Sequence, residues 1–186
     1  MTIFGGNGTR GTIFRITGSG TFTNLYDFDG TNGSNPNGTL LLAADGNMYG
    51  TTSGDDTFGT VFKLTPAGVV TVLHRFDIGD NRSAGLVQAS DGELYGTTFF
   101  GGRHGEGSIF SITTDGTLNT IYSFPSFDHL DGANPFGLMQ HTDGKFYGTT
   151  SQGGTSVNCD SLDSIGCGTV FSLESRPWTV RDIRGH

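Results

Sequence analysis

The sequence predicts an all-β protein, a β-propeller of four-stranded antiparallel blades of about 48 residues, with roughly 3.5 blades in the chain as a partial or oligomer-completed ring. Three observations carry that expectation. Glycine supplies 32 of the 186 residues, well above its average share of about 7%. The two longest glycine-free stretches, Thr117 to Asp131 and Thr169 to Arg184, are interrupted by Pro125 and Pro177, which excludes a helical fold. A set of markers then recurs in fixed order along the chain. Gly11-Thr12-Ile13-Phe14 returns at Gly59, Gly107 and Gly168, spaced by 48, 48 and 61 residues. Tyr49-Gly50-Thr51-Thr52 returns at Tyr95 and Tyr147; Leu25-Tyr26-Asp27-Phe28 matches Leu73 to Phe76 and Ile121 to Phe124; Asp-Gly pairs stand at Asp45, Asp91 and Asp143. The third observation is the turn chemistry between apolar runs, Asp45-Gly46 and Thr65-Pro66-Ala67-Gly68 in the second repeat. Asp-Gly there predicts a tight primed turn, because Gly tolerates the positive φ that such a turn requires.

The elements follow in order. Met1 to Phe14 aligns without a gap onto Thr97 to Phe110, so the chain is expected to begin at the end of a strand b, with a partial blade over residues 1–28. The second repeat, about residues 38–76, gives strand a at Leu40 to Ala44, b at Asn47 to Thr52, c at Thr60 to Thr65 and d at Val69 to Phe76. Thr, Val, Ile, Tyr and Phe dominate these runs, as suits a pleated, half-buried surface. Further blades are expected over about 85–124 and 137–183, the last with Trp178 to Ile183 as its strand d. Residues 175–186 form a divergent tail. A coil of a parallel β-helix would be roughly half as long as this repeat, which favours the propeller. Glycines beside the aromatic markers are expected where blades approach closely, with Phe and Tyr of strands b, c and d supplying the blade-to-blade packing.

Composition narrows the function. Leu, Ile, Val and Phe total 45, enough to place the chain among folded rather than disordered sequences. The net charge of -8 with ten Lys and Arg argues against a nucleic-acid partner. No apolar run approaches the roughly 18 residues of a membrane span.

Taken together, D-G-x-x-Y-G-T-T, G-G, G-T-V-F-x-L-T, V-L-x-x-F, D-G-x-N-P and G-L resemble the GloVer tandem repeat, a glycine-rich repeat of bacterial surface or exported proteins. The resemblance runs from Met1 to about Leu173. It implies a propeller-like fold and an extracytoplasmic setting, secreted or at the cell surface, and it implies no established activity. Two departures stand out. Asp80 to Gly85 replaces the Asn-Pro found at Asn35-Pro36 and Asn134-Pro135, and Glu174 to His186 leaves the pattern.

Blade connectivity puts the a–b and c–d turns on one face and the longer b–c and d–a loops on the other. Cys159 and Cys167 fall in the insertion that lengthens the last spacing. A disulfide between them would staple a long surface loop and suit an exported protein; two Cys without further ligands are too few for zinc. The d–a loops are acidic or amide-rich, with Asp27, Asp29, Asn32 and Asn35, then Asp77, Asp80 and Asn81, then Asp128, Asp131 and Asn134. Alternating oxygen ligands raise a calcium reading, but no loop has the twelve-residue pattern with its closing Glu, and turn capping is the expected role. Gly6 to Gly11 satisfies G-x-G-x-x-G yet leads into a strand rather than a helix, so it is a loop. His74 and His141 stand where sister repeats carry Tyr26 and Ala43 or Ala89, and are expected to be replaced core or edge residues.

No catalytic residue, cofactor or metal is assigned from the sequence. The expected function is a non-catalytic extracytoplasmic repeat protein that binds a glycan or a surface protein through the variable b–c and d–a loops. The alternatives are a propeller-type lyase or glycosidase using acids such as Asp29 and Asp131, and a structural spacer in a larger surface protein. A homo-oligomer that completes the ring is a further expectation, since an open blade array exposes unpaired strand edges.

Overall fold

The computed structural model describes residues 1–54, 59–77, 84–125, 131–154, 166–174 and 179–182, and they form an all-β protein with no helix among them. The first sheet pairs β1 (Thr12–Ile16) with β2 (Phe22–Asp27). The second runs β3 (Pro36–Leu42), β4 (Met48–Thr52), β5 (Thr60–Leu64) and β6 (Val70–Arg75). The third has β7 (Val87–Gln88), β8 (Leu94–Thr98), β9 (Ser108–Ile112) and β10 (Leu118–Ser123), and the fourth β11 (Ala133–Gln140), β12 (Phe146–Gln152), β13 (Val170–Glu174) and β14 (Thr179–Asp182). Each is an antiparallel meander in chain order, so the four-strand unit of the sequence is the unit of the fold. β14 lies within the divergent tail and pairs with β13, Leu173 opposite Val180. Thr2 bridges to Thr12 at the place where strand b ends in the other sheets. Among the described residues no helix is long and apolar enough to cross a membrane.

The a–b and c–d turns share one geometry. The amide of Gly46 donates to the Ala43 carbonyl at 3.0 Å, while the Ala43 amide donates to the Asn47 carbonyl at 2.9 Å. The same two bonds join Thr17, Thr65, Ala89, Thr113 and His141 to the glycine three residues on and the residue after it. Only the glycine is left-handed in each; φ is 80° at Gly46 and that of Asp45 is not positive. These are therefore three-residue loops, a type I turn followed by a bulge glycine, and not the two-residue primed turn that Asp-Gly suggests. Asp45, Asp91 and Asp143 add a side-chain bond to the amide two residues on, but the geometry does not depend on it, since Ser19 and Ala67 stand at that position in the Thr17 and Thr65 turns.

Strand a begins at Pro36 rather than at Leu40. A bulge between Asn37 and Leu41 breaks the two-residue alternation that sequence reading depends on. The same irregularity falls between Pro135 and Leu138. Where Asn-Pro is absent, strand a shrinks to the two residues of β7.

Sheets stack face to face through three apolar junctions. Ile13 and Phe28 of the first sheet meet Phe62 and Leu64 of the second. Tyr49, Val61 and Phe76 of the second meet Leu94, Phe110 and Ile112 of the third. Tyr95, Ile109 and Phe124 of the third meet Phe146, Phe171 and Leu173 of the fourth. At the centre of each junction one ring from the end of strand d strikes one ring of strand c edge-on. The pairs Phe28–Phe62, Phe76–Phe110 and Phe124–Phe171 all have centroids 5.4 Å apart, within the preferred range for T-shaped pairs. The ring of strand c rests in turn on the glycine opposite it in strand b: a Cβ on Gly50, Gly96 or Gly148 would come within 2.5 or 2.6 Å of the Cζ of Phe62, Phe110 or Phe171.

Candidate functional site

Strand b ends in Thr-Thr, and the second hydroxyl is buried against the start of strand c. Thr52 and Thr60 share a hydroxyl contact of 2.9 Å, as do Thr98 and Ser108, and Thr150 and Thr169. Thr52 Oγ1 also accepts the Thr60 amide at 3.0 Å. This buried pair fixes where the b–c loop leaves the sheet.

The d–a loop is anchored by D/N-G-x-N-P. Tyr122 donates to Asp131 Oδ2 at 2.9 Å, and Asn32 Nδ2 donates to the Tyr26 hydroxyl at 2.6 Å. Asn35 and Asn134 turn the chain with φ of 54° and 56°, a conformation that Asn tolerates. Their amides donate across the junction to the carbonyls of Arg10 and Glu106, each at 2.8 Å. The prolines that follow sit on Gly11 and Gly107, where a Cβ would lie 2.4 Å from the ring Cδ. Asn-Pro thus hooks strand a of one sheet onto the b–c loop of the sheet before it.

Those hooks converge around a cavity of about 470 Å³ on the loop face. Ile3 and Phe4 come from the b–c loop of the first sheet, Ser53 and Gly54 from the second, and Phe99 from the third. Between them stand the starts of strand a: Asn35 and Asn37, Ala84, and Pro135 with Phe136. Phe99 meets Phe100 edge-on with centroids 4.7 Å apart and Phe136 at a tilt, 5.2 Å away. Phe4 is 73% exposed and Phe136 53%, so large rings stand open to solvent at the rim. The polar lining comes from Asn35, Asn37 and Ser53; Ser53 Oγ donates to the Asn35 carbonyl at 3.1 Å, and behind the lining buried Asn134 Nδ2 donates to the Phe99 carbonyl at 2.8 Å.

The acids of the d–a loops lie elsewhere. Asp29 Oδ1 accepts the Thr31 amide at 2.8 Å and its hydroxyl at 2.6 Å. The Thr31 hydroxyl and amide hold the Asp29 carboxyl below its ordinary range, which is the turn-capping role expected of it. Asp27 accepts from Asn24 at 2.7 Å and Asp131 from Tyr122; none of the three lines the cavity. Among the described residues no group of three His, Cys, Asp or Glu is placed to hold a metal ion. Asp80, Asn81, Asp128, His129 and Cys159 lie outside the described residues. The aromatic cluster is what sequence reading missed, since it gave a role only to the Phe and Tyr of strands b, c and d and none to the rings that follow strand b or open strand a. Its signal was present in the alignment: Phe4 falls on Phe100, and Ile3 on Phe99, where the other repeats carry Ser53-Gly54 and Ser151-Gln152.

The profile of the Gloeobacter/Verrucomicrobia repeat matches residues 1–171. No curated protein matches the chain. Among solved structures it is similar to the extracellular domain of a protein described as a hybrid two component system from B. thetaiotaomicron, at 12% identity and a TM-score of 0.58, covering 94% of this chain and 20% of that one. It is similar also to the tricorn protease, at 12% identity and TM-score 0.53, over 95% of this chain and 16% of that one. A third is a protein from Bacteroides uniformis described as a 6-phosphogluconolactonase, at 15% identity and TM-score 0.51, over 93% and 50%. The chain thus spans between about a sixth and half of the lengths of these structures. At such identities the likeness shows the fold alone, and that fold is propeller-like.

Proposed function

Because the chain belongs to the Gloeobacter/Verrucomicrobia repeat family, we propose that it is an extracytoplasmic, non-catalytic repeat scaffold that binds a glycan at the cavity on its loop face. The observation that carries this reading is the set of rings around the cavity, solvent-open Phe4 and Phe136 with half-buried Phe99 between the loops, standing beside amide and hydroxyl groups at the mouth of the sheet array. A sugar ring offers an apolar face to an aromatic ring and hydroxyls to amides, and a pocket of several hundred Å³ is of ligand size. Variable loops on a uniform scaffold are where binding residues sit. A glycosidase would instead need two carboxyls about 5 to 9.5 Å apart at the substrate; among the described residues the cavity lining contains no carboxylate. The extracytoplasmic setting rests on the repeat family and agrees with the expected disulfide.

A glycan array followed by titration calorimetry tests the proposal. Binding that weakens at least tenfold in Phe4→Ala, with the fold intact, is the expected result. A folded protein that is blank across the array, or whose binding ignores Phe4→Ala, overturns it.

A further inference from the structure

An asparagine followed by glycine is a chemically weak point of a chain, because no Cβ on the glycine keeps its nitrogen away from the carboxamide carbon. Three such pairs lie among the described residues, Asn7-Gly8, Asn32-Gly33 and Asn37-Gly38. The fold treats the last two in opposite ways.

In Asn32-Gly33 the carboxamide is held, with Asn32 Nδ2 donating to the Tyr26 hydroxyl at 2.6 Å. Gly33 is buried with φ of 107°, and a Cβ on it would lie 2.5 Å from Thr52 Oγ1 and 2.8 Å from Thr60 Oγ1. A ring closing there would have to break the bond to Tyr26 and push both hydroxyls aside. Asn37-Gly38 stands in the bulge of strand a, where the register with β4 slips between Asn37 and Leu41. Asn37 is half-buried and Gly38 exposed. The Gly38 amide donates to Asn37 Oδ1 at 3.0 Å, which keeps this nitrogen beside the side-chain carbonyl. Glycine is required at 38, since its φ is 75° and a Cβ would come within 2.8 Å of the Gly85 main chain. Asparagine is not required at 37: in the fourth sheet Phe136 follows Pro135 as Asn37 follows Pro36.

We infer that Asn37 is a site of spontaneous deamidation in the folded protein, which places a negative charge in the wall of the loop-face cavity that Asn37 lines. The Gly38 nitrogen, its proton taken by hydroxide, bonds to Asn37 Cγ. The Cγ–Nδ2 bond breaks, and Nδ2 takes a proton from water and leaves as ammonia, so that a cyclic succinimide remains. Water then opens the ring, at Cγ to give aspartate or at the main-chain carbonyl to give isoaspartate. The net change is amide plus water to acid plus ammonia, with no oxidant or reductant. The modification does not depend on what the cavity binds.

The full chain, kept folded at mildly alkaline pH and followed by circular dichroism, is sampled over time, and tandem mass spectrometry of its peptides locates each conversion of amide to acid. The expected result is conversion at Asn37 roughly tenfold or more faster than at Asn32, because only at Asn37 are the reacting groups held together. The rate rises with pH, and Asn37→Gln, whose longer side chain closes the ring far less readily, shows no conversion at this position. In guanidinium the rate at Asn32 climbs to that at Asn37, since the fold sets the difference. Equal rates at the two residues in the folded chain overturn the inference. So does an Asn37 that stays intact while the chain is folded and converts only in guanidinium.

Discussion

Tyr49 donates its phenolic hydrogen to Asp45 Oδ2 at 2.7 Å, closing the a–b turn with a side-chain bond from the strand it introduces. Asp45 Oδ1 meanwhile accepts the Asn47 amide at 3.0 Å. The same pair of hydrogen bonds links Asp91 to the Glu93 amide and Tyr95 hydroxyl, and Asp143 to the Lys145 amide and Tyr147 hydroxyl, with hydroxyl distances of 2.7 and 3.0 Å. D-G-x-x-Y is thus one unit of turn, and each of its fixed letters has a bonding reason. Tyr49 and Tyr95 are buried in junctions, whereas Tyr147 is half-buried and lines an open hollow on the fourth sheet with Met139 and Val170.

Removal of the Tyr49 hydroxyl should therefore be felt more than removal of the Tyr147 hydroxyl. Tyr49→Phe leaves the ring in place but withdraws the donor, at a cost of about 1 kcal/mol. Tyr147→Phe should fall below it, since water can replace the lost donor there. Urea denaturation of both variants checks the order; equal effects would mean that burial does not govern the bond.

The same unit sets a pH dependence at both ends. The hydrogen bonds from Tyr49 and Asn47 hold the Asp45 carboxyl below its ordinary value of 3.8. The folded state therefore prefers the carboxylate, and this contribution is present above about pH 4 and lost as pH falls through the lowered value. Burial, then the bond to Asp45, push the Tyr49 phenol above its ordinary 10.0. The unfolded chain then ionises first, so stability declines as pH rises beyond about 10. Melting temperature followed between pH 2 and 11 should show both limbs, and the acid limb should flatten in Asp45→Asn.

Much of this was legible because it is local. The repeat, the glycine of each turn and the strand order follow from spacing and from φ. The Thr-Thr and Asn-Pro markers were visible as letters, but their roles depend on partners 8 to 35 residues away, as with Thr52 and Thr60 or Asn134 and Phe99. Spacing along the chain does not specify such contacts. The rim of the cavity was hidden for a different reason: Phe99 and Phe136 have the same residue type as the junction rings, and only the sheet order separates a ring that packs a blade from one that faces solvent. The acids of the d–a loops were expected to cap turns, as Asp29 does at Thr31, whereas the bond from Tyr122 to Asp131 joins residues nine apart and was not visible in the spacing.

The loop insertion offers a chemical test. Cys159 lies outside the described residues, so its pairing with Cys167 is a proposal from the sequence. Closing so short a loop would stabilise the chain by about 2 to 3 kcal/mol. The expected outcome under native, unreduced conditions is no uptake of iodoacetamide by mass spectrometry, and two labels after reduction. Two labels without reductant would show free thiols.

The contact between glycine and ring makes the sharpest demand on sequence. Gly50 stands directly opposite Phe62 in the b–c pair, and a Cβ there would lie 2.5 Å from Phe62 Cζ and 3.1 Å from Leu40 Cδ2. Phe62 cannot move aside, because Phe28 of the neighbouring sheet meets it edge-on at 5.4 Å. Gly50→Ala should therefore destabilise by about 1 to 3 kcal/mol through overpacking, although alanine is otherwise tolerated in a strand. The cause is tested by relieving it. Phe62→Leu alone trims a buried ring and destabilises, but in the double variant the smaller side chain leaves room for the new methyl, so the double variant should cost less than the sum of the two single costs. Strict additivity in guanidinium denaturation would mean that the methyl and the ring never met, and that glycine is needed at this position for some other reason.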